Sequence, residues 1–132
     1  MTTARPFLMF QDNRAQAALD LYFATLPDSR MIRVERYAEG ELGLAGSIKV
    51  AVFTLCGREF MCSDSPIKHG FTFTPSSSTF VEFDSVAELE RVFGILSNGG
   101  EVLMPLDNYG FSERFGWVND RFGVSWQLNF AA

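Results

Sequence analysis

Few side chains in this 132-residue sequence have the type and setting that catalysis requires. Glu82 lies between the apolar Val81 and Phe83, where a carboxylate could act as a general base. His69 is the only histidine, and it could shuttle a proton or bind a metal. Each has a plainer interpretation. Strand alternation directs Glu82 toward solvent or a helix, and His69 is an ordinary loop residue.

The charged pair Glu113 and Arg114 is a third candidate. It follows Tyr109 in a polar loop that precedes a predicted strand. Arg114 could recognise an anionic substrate there, since guanidinium groups bind carboxylates and phosphates well. Surface charges that serve only solvation are the alternative.

Other sets of reactive residues are incomplete. Cys56 and Cys62 are the only cysteines, which is too few for a disulfide framework or a zinc site, so they are interpreted as two small apolar residues on or near neighbouring strands. Gly40, Gly43 and Gly46 lack the lysine of a phosphate-binding loop and do not match G-x-G-x-x-G. No Ser/His/Asp or Cys/His set is assembled.

Composition excludes several classes of protein. Apolar residues make up 47% of the chain and charged residues 20%, which suits one compact domain over residues 1–132. A net charge of −5 without a basic stripe argues against nucleic-acid binding. No apolar run is long enough to cross a bilayer, and no signal peptide is visible at the N-terminus, so we expect no membrane and a cytoplasmic location.

Hydrophobic periodicity and turn residues predict two similar halves. Asp12 or Asn13 is expected to cap the first helix. Asp84 or Ser85 is expected to cap the second helix, and Ser85 with Glu88 forms a capping box there. Asn98-Gly99-Gly100 is expected to close the second helix by left-handed capping. The predicted strands are residues 6–10, 30–37, 48–55 and 59–63, then, after a connector over 64–78, residues 79–83, 101–105, 113–119 and 125–130.

The order βαβββ therefore occurs twice, which predicts an α+β fold. The C-terminal stretch over residues 116–128 is typical of two strands joined by a tight turn, and Gly123 is expected to take a positive φ at the end of the turn. Within it, Gly116-Trp117-Val118-Asn119-Asp120-Arg121-Phe122-Gly123-Val124-Ser125-Trp126 resembles the signature of the PhnB-like proteins. They form a branch of the glyoxalase/bleomycin-resistance/dioxygenase (vicinal oxygen chelate) superfamily. Residues 6–22 and 52–61 are similar to two further segments of that family.

The resemblance implies a fold and a range of functions. The fold is two βαβββ modules, about 5–63 and 78–130, whose mixed sheets curve round a common cup, and relatives are usually homodimers. The leading hypothesis is a small-molecule-binding protein. The alternative is an enzyme of the superfamily, of lyase, isomerase or dioxygenase type, acting on a small carbonyl or aromatic compound. Many relatives carry the label 3-demethylubiquinone-9 3-methyltransferase, which these residues do not support. An interaction protein whose cup is filled by phenylalanine rings is a third hypothesis.

The resemblance also implies which residues occupy the site. Metal-using relatives bind their ion at four corners, which correspond here to Phe7, Met61, Thr79 (or Ser78) and Gln127. These corners offer no imidazole or carboxylate, so we expect no metal and no cofactor. The predicted ligand-binding residues are Phe7, Met9, Met61, Thr79, Trp117 and Gln127.

Overall fold

The computed structural model describes residues 1–131. Two helices and eight strands follow the order βαβββ twice, and the α+β prediction is confirmed. The elements are β1 (Phe7–Phe10), α1 (Ala15–Thr25), β2 (Arg30–Arg36), β3 (Ile48–Leu55), β4 (Arg58–Asp64), β5 (Thr79–Glu82), α2 (Val86–Ser97), β6 (Glu101–Asp107), β7 (Arg114–Asn119) and β8 (Ser125–Phe130). Neither helix has the length and apolar content needed to cross a bilayer, as far as residues 1–131 are concerned.

The chain divides into two compact units, unit 1 over Met1–Thr72 and unit 2 over Phe73–Ala132. Each has its own four-stranded mixed sheet, in the order β1-β4-β3-β2 and β5-β8-β7-β6. In both sheets the first strand pairs in parallel with the last strand, and the other neighbours are antiparallel. The two units therefore share one topology.

In unit 1, one face of the sheet packs on α1. Phe53 of β3 lies opposite Phe60 of β4, and its ring is 6.1 Å from that of Phe23 in α1. Because successive strand residues point to opposite faces, Cys62 and Asp64 share this helix face with Phe60, and both are buried. The residues that alternate with them along β4 consequently lie on the other, helix-free face.

The start of α1 is not capped as the sequence predicts. Asp12 and Asn13 both have positive φ, and the residue before the helix is Arg14, which makes no side-chain cap. The first helical amide, from Ala15, donates instead to Oδ1 of Asp64 at 2.9 Å. The prediction of Asp12 or Asn13 is wrong because a carboxylate from β4 supplies the cap.

Unit 2 packs its sheet on α2 in the same way. A side chain at Gly116 would lie 2.6 Å from the ring of Phe93 in α2, so the backbone of β7 approaches the helix closely there. Gly116 and, across the ladder, Leu128 therefore lie on this helix face.

The two ends of α2 agree with the sequence prediction. The Ser85 cap is confirmed, since its hydroxyl accepts a bond from the amide of Glu88 at 3.2 Å. Gly99 takes the expected positive φ, 77°, just beyond the last turn. Both signals act over a few residues, so tertiary packing does not override them.

Candidate functional site

Three of the predicted residues share the helix-free face of unit 1. Phe7 is the direct partner of Met61 in the parallel β1–β4 ladder, and Met9 is the partner of Ser63. Phe7 is 52% exposed, although it is a large apolar side chain. The face thus presents a ring and two thioethers, which suit contact with an apolar surface.

Trp117 and Gln127 are direct cross-strand partners on the helix-free face of unit 2. Both are half-buried. The indole Nε1 of Trp117 donates to the hydroxyl of Ser125 at 2.8 Å, and Nε2 of Gln127 donates to the hydroxyl of Ser78 at 2.6 Å. These bonds fix the orientation of an aromatic face and an amide that lie side by side.

Thr79 does not lie on that face. It pairs with Trp126, which is fully buried on the helix face, so Thr79 points toward the helix side. Phe80, the next residue, pairs with Gln127 and therefore takes the position predicted for Thr79. Ser78, the other residue considered, contacts Gln127 through its hydroxyl.

The error of one residue has a simple cause. Phe7 and Thr79 are predicted by counting back from the two helices, but Phe7 lies eight residues before α1 and its ladder equivalent, Phe80, lies six residues before α2. One residue of this difference comes from the shorter connection, and the other arises because Phe7 is the first residue of β1 whereas Phe80 is the second of β5. A slip of one residue reverses the face of a strand. In the ladders, Phe80 stands to Gln127 as Phe7 stands to Met61.

The family resemblance, combined with this register, makes Phe7, Met61, Phe80 and Gln127 the counterparts of the metal corners. Their chemistry does not fit a divalent cation. Phenylalanine has no donor atom, a thioether is a soft ligand, and one neutral amide oxygen is not enough to hold the ion. Nowhere in residues 1–131 do three or more His, Cys, Asp or Glu side chains form a group that could bind a metal.

Glu82 and His69 occupy different surroundings. Glu82 is exposed on the helix-free face of unit 2, and it pairs with Asn129 of β8. It points away from α2, so of the two predicted directions it takes the one toward solvent. His69 lies in the connector of unit 1, where its Nε2 is 2.9 Å from the hydroxyl of Ser65 and its ring stacks on Phe71 at 4.8 Å.

Arg114 lies on the helix face of unit 2. It alternates with Phe115, and its Nη2 is 4.0 Å from Oε1 of Glu90 in α2. Its side chain is therefore on the opposite side of the sheet from Trp117 and Gln127. Arg114 in this position cannot bind an anion that contacts Trp117 and Gln127.

The two thiols differ in environment. Cys62 is fully buried on the helix face of unit 1, and burial, with a smaller effect of nearby Asp64, raises the pKa of its thiol to about 12. Cys56 lies in the turn between β3 and β4, and the residue taken as a whole is exposed to solvent. Partial burial of its sulfur and the charge of Asp28 also raise the pKa of Cys56. Since the thiolate is the nucleophile, neither is an activated nucleophile.

Sequence reasoning misses part of the unit 2 face. Besides Phe80, this face contains Phe115 and Asn129, each two residues from a predicted site residue on its own strand. The rings of Tyr109 and Phe111 lie 6.1 and 5.0 Å from that of Phe115. Strand alternation could have found Asn129 and Phe115, whereas the loop rings carry no sequence signal.

The C-terminal signature builds the β7–β8 turn. Asp120 is 3% exposed, and its Oδ1 accepts from the amides of Phe122 and Val124 at 2.8 and 3.1 Å. Its Oδ2 accepts from the indole of Trp126 at 2.9 Å. Gly123 has φ 89°, as predicted. These signature residues thus act locally in folding.

The chain belongs to the family described as 3-demethylubiquinone-9 3-methyltransferase, whose profile matches residues 2–129. Its fold is that of the glyoxalase/bleomycin-resistance superfamily. No curated protein sequence matches it.

Solved structures agree with this assignment. A putative 3-demethylubiquinone-9 3-methyltransferase, PhnB protein, from Bacillus cereus is 43% identical over 98% of this chain and all of its own, with a TM-score of 0.94. Protein PA1353 from Pseudomonas aeruginosa is 27% identical over 98% of each chain, with a TM-score of 0.83. The fosfomycin resistance protein FosX from Listeria monocytogenes, complexed with Mn(II) and a dihydroxypropylphosphonic acid, is 13% identical over 97% of this chain and 90% of its own. Its TM-score of 0.65 shows a shared fold.

Proposed function

We propose that the chain is a small-molecule-binding protein that holds an aromatic or amphipathic compound without a divalent metal. The observation that carries this proposal is the Trp117–Gln127 pair, in which a half-buried indole adjoins an amide. Binding sites are mostly apolar with a few fixed polar groups, and this pair has that character. Phe80 extends the pair in unit 2. The predicted residues of unit 1, Phe7, Met9 and Met61, give that unit an apolar surface of the same kind.

Benzamide is a suitable first probe because its ring and amide match Trp117 and Gln127. We expect saturable binding, followed by calorimetry or by the side-chain amide signals in NMR. Gln127→Met keeps the length of the side chain but removes one hydrogen bond, and it should weaken binding roughly threefold to tenfold. Trp117→Leu should weaken it at least as much, because an aromatic contact is lost.

Gln16→Met is the matched control, since it makes the same exchange on α1, where Gln16 bonds Asp20 at 2.9 Å. The affinity of this variant for benzamide should equal that of the parent protein. Binding that is unchanged by Gln127→Met and Trp117→Leu would contradict the proposal.

The part of the proposal that says no metal is bound can be tested separately. After incubation with Mn²⁺, Ni²⁺ or Zn²⁺ and desalting, native mass spectrometry should find no stoichiometric ion, because Phe7, Met61, Phe80 and Gln127 are poor ligands. One retained ion per subunit would overturn this part of the proposal. It would favour the alternative, an enzyme of the same superfamily acting on a small carbonyl or aromatic compound.

The connections from strand to helix lack the glycines that a methyltransferase of the nucleotide-cofactor type would be expected to have. Folds that bind nucleotide-type cofactors usually place glycines where a strand meets a helix N-terminus, so that the backbone can approach the ligand. Residues 11–14 and 83–85, which connect β1 to α1 and β5 to α2, contain no glycine. We therefore keep the family description as a name and not as an activity.

Assembly and location are proposed from the family resemblance. We propose a homodimer in the cytoplasm, with no nucleic-acid or membrane partner. The same native mass spectrum reports the mass of the assembly, and a monomer at micromolar concentration would contradict the dimer.

A further inference from the structure

The helix-free face of unit 2 is rich in acidic groups. Phe115, Trp117 and Asn119 are alternate residues of β7 and share this face. The carboxylates that lie beside them belong to the strands on either side of the β7–β8 pair. Glu82 is paired with Asn129, Glu101 with Asn119, and Asp107 with Phe115. The face therefore has three carboxylates.

None of the three arginines of unit 2 is a side chain of the strands on this face. Arg91 bonds Glu88 within α2, and Arg114 reaches toward Glu90 on the helix face. Arg121 lies in the β7–β8 turn, with its Cβ close to Gly99. Unit 2 contains no lysine. No basic side chain from the described strands of unit 2 therefore lies among the three carboxylates.

Asn129 supplies an acceptor for which the structure shows no donor. The residue is 6% exposed, and its Oδ1 is buried without a hydrogen-bond partner. Its neighbours in the sheet are Glu82 on one side and Phe115 on the other. A buried unpaired acceptor is costly, so a ligand that brings an N–H group gains by filling it.

Aromatic rings complete the surroundings. The rings of Phe80 and Phe111 lie 6.3 and 5.0 Å from that of Phe115, and they are 51% and 64% exposed. Tyr109 stacks on Phe111 at 6.2 Å. The faces of such rings carry partial negative charge and attract ammonium and guanidinium groups.

We propose that this face selects an organic cation, namely a primary amine or guanidinium attached to an aromatic or apolar group. The inference rests on the proposed binding function and names its ligand class. The cation donates to Oδ1 of Asn129 and to the carboxylate of Glu82, while its apolar part lies against Phe80 and Trp117. An anionic ligand of the same shape meets the carboxylate of Glu82, with Asp107 two strands away and no countercharge from these strands, and it is rejected.

Benzylamine, benzyl alcohol and benzoate test this inference, because they share a ring and differ in charge at neutral pH. We expect benzylamine to bind roughly tenfold more tightly than benzyl alcohol, and benzoate to bind most weakly. Glu82→Gln should weaken benzylamine binding about fivefold and leave benzyl alcohol unchanged. Phe80→Leu, at a half-exposed position, should weaken benzylamine more than benzyl alcohol. The side-chain amide signal of Asn129 should shift with benzylamine.

Glu90→Gln is the matched control, because it removes one carboxylate on the opposite side of the same sheet. It should leave both affinities unchanged. Equal binding of all three probes, with Trp117 and Gln127 still required, would overturn the cation inference but leave the binding function standing. Binding of no aromatic probe, benzamide included, would overturn both.

Discussion

Cys56 has a backbone conformation that suits its residue type poorly. It and Gly57 form the two-residue turn between the paired residues Leu55 and Arg58, with φ of 52° and 80°. Two consecutive positive φ values define the turn that favours Asn-Gly. A cysteine is strained in this region because its Cβ approaches the following carbonyl.

Cys56→Asn should therefore raise the free energy of unfolding, by about 0.5–1 kcal/mol. Urea denaturation of the two proteins measures the difference. Cys56→Ala is the control, because alanine also removes the thiol but has no preference for positive φ, and it should not raise stability. A lower midpoint for Cys56→Asn would mean that the sulfur makes contacts worth more than the relief of strain.

Among single residues, sequence is a good guide where strand alternation alone decides the outcome. The family resemblance selects Gln127, which lies four residues past Gly123, and the same count from Gly57 selects Met61. The ladders put both on helix-free faces. Their contact with a ligand stays a prediction. Phe80 takes the position predicted for Thr79, because the paired positions lie eight and six residues before their helices and sequence does not show where a strand begins or ends.

At the scale of elements, Asp64 connects several of them. Its Oδ1 accepts from the amide of Ala15 at the start of α1, and its Oδ2 accepts from the amide of Ile48 at the start of β3, both at 2.9 Å. Its backbone carbonyl accepts from the hydroxyl of Tyr37 at 3.0 Å. The residue is 1% exposed, so these bonds are shielded from water.

Asp64→Ala should lower the free energy of unfolding by about 2–4 kcal/mol, because two buried amides lose their acceptor. Asp20→Ala on the exposed side of α1 is the control and should change stability by less than about 0.5 kcal/mol. Thermal or urea denaturation gives both values. A loss at Asp64 no larger than at Asp20 would show that water replaces the carboxylate.

The two helix caps show what sequence can predict at this scale. Ser85 is identifiable because its partner, the amide of Glu88, is three residues away. The cap of α1 is not, because Asp64 is 49 residues from Ala15 and reaches it only once β4 has paired in the sheet. Residues 12 and 13 match a capping pattern but adopt left-handed conformations, which aspartate and asparagine tolerate.

At the scale of the whole molecule, charge is unevenly divided. Residues 1–72 contain eight basic and eight acidic side chains, whereas residues 73–132 contain three arginines and eight acids. The whole net charge of −5 therefore belongs to unit 2. The net charge, which the sequence gives directly, argues against nucleic acid as a partner. The side of the sheet on which the charged residues lie can be assigned only once the strand register is known.

Salt should consequently affect a cationic ligand and a neutral one differently. Raising NaCl from about 50 to about 500 mM should weaken benzylamine binding several-fold, since the Debye length shrinks from about 14 Å to about 4 Å. Benzyl alcohol should bind equally well or slightly better. Calorimetry at both concentrations measures this, and equal salt dependence of the two probes would argue against charge selection.

The hydrogen bonds of Asp120 also bear on whether a functional name can be transferred from one member of the family to another. Its carboxylate accepts hydrogen bonds from the turn and from Trp126, so the turn residues of the stretch that identifies the family serve folding. Two proteins with these turn residues in common can share an architecture, while proposed ligand-contacting residues outside the stretch, such as Phe80 and Gln127, are free to differ. An enzyme name transferred through these turn residues therefore reports a shared architecture and is no evidence for a shared reaction.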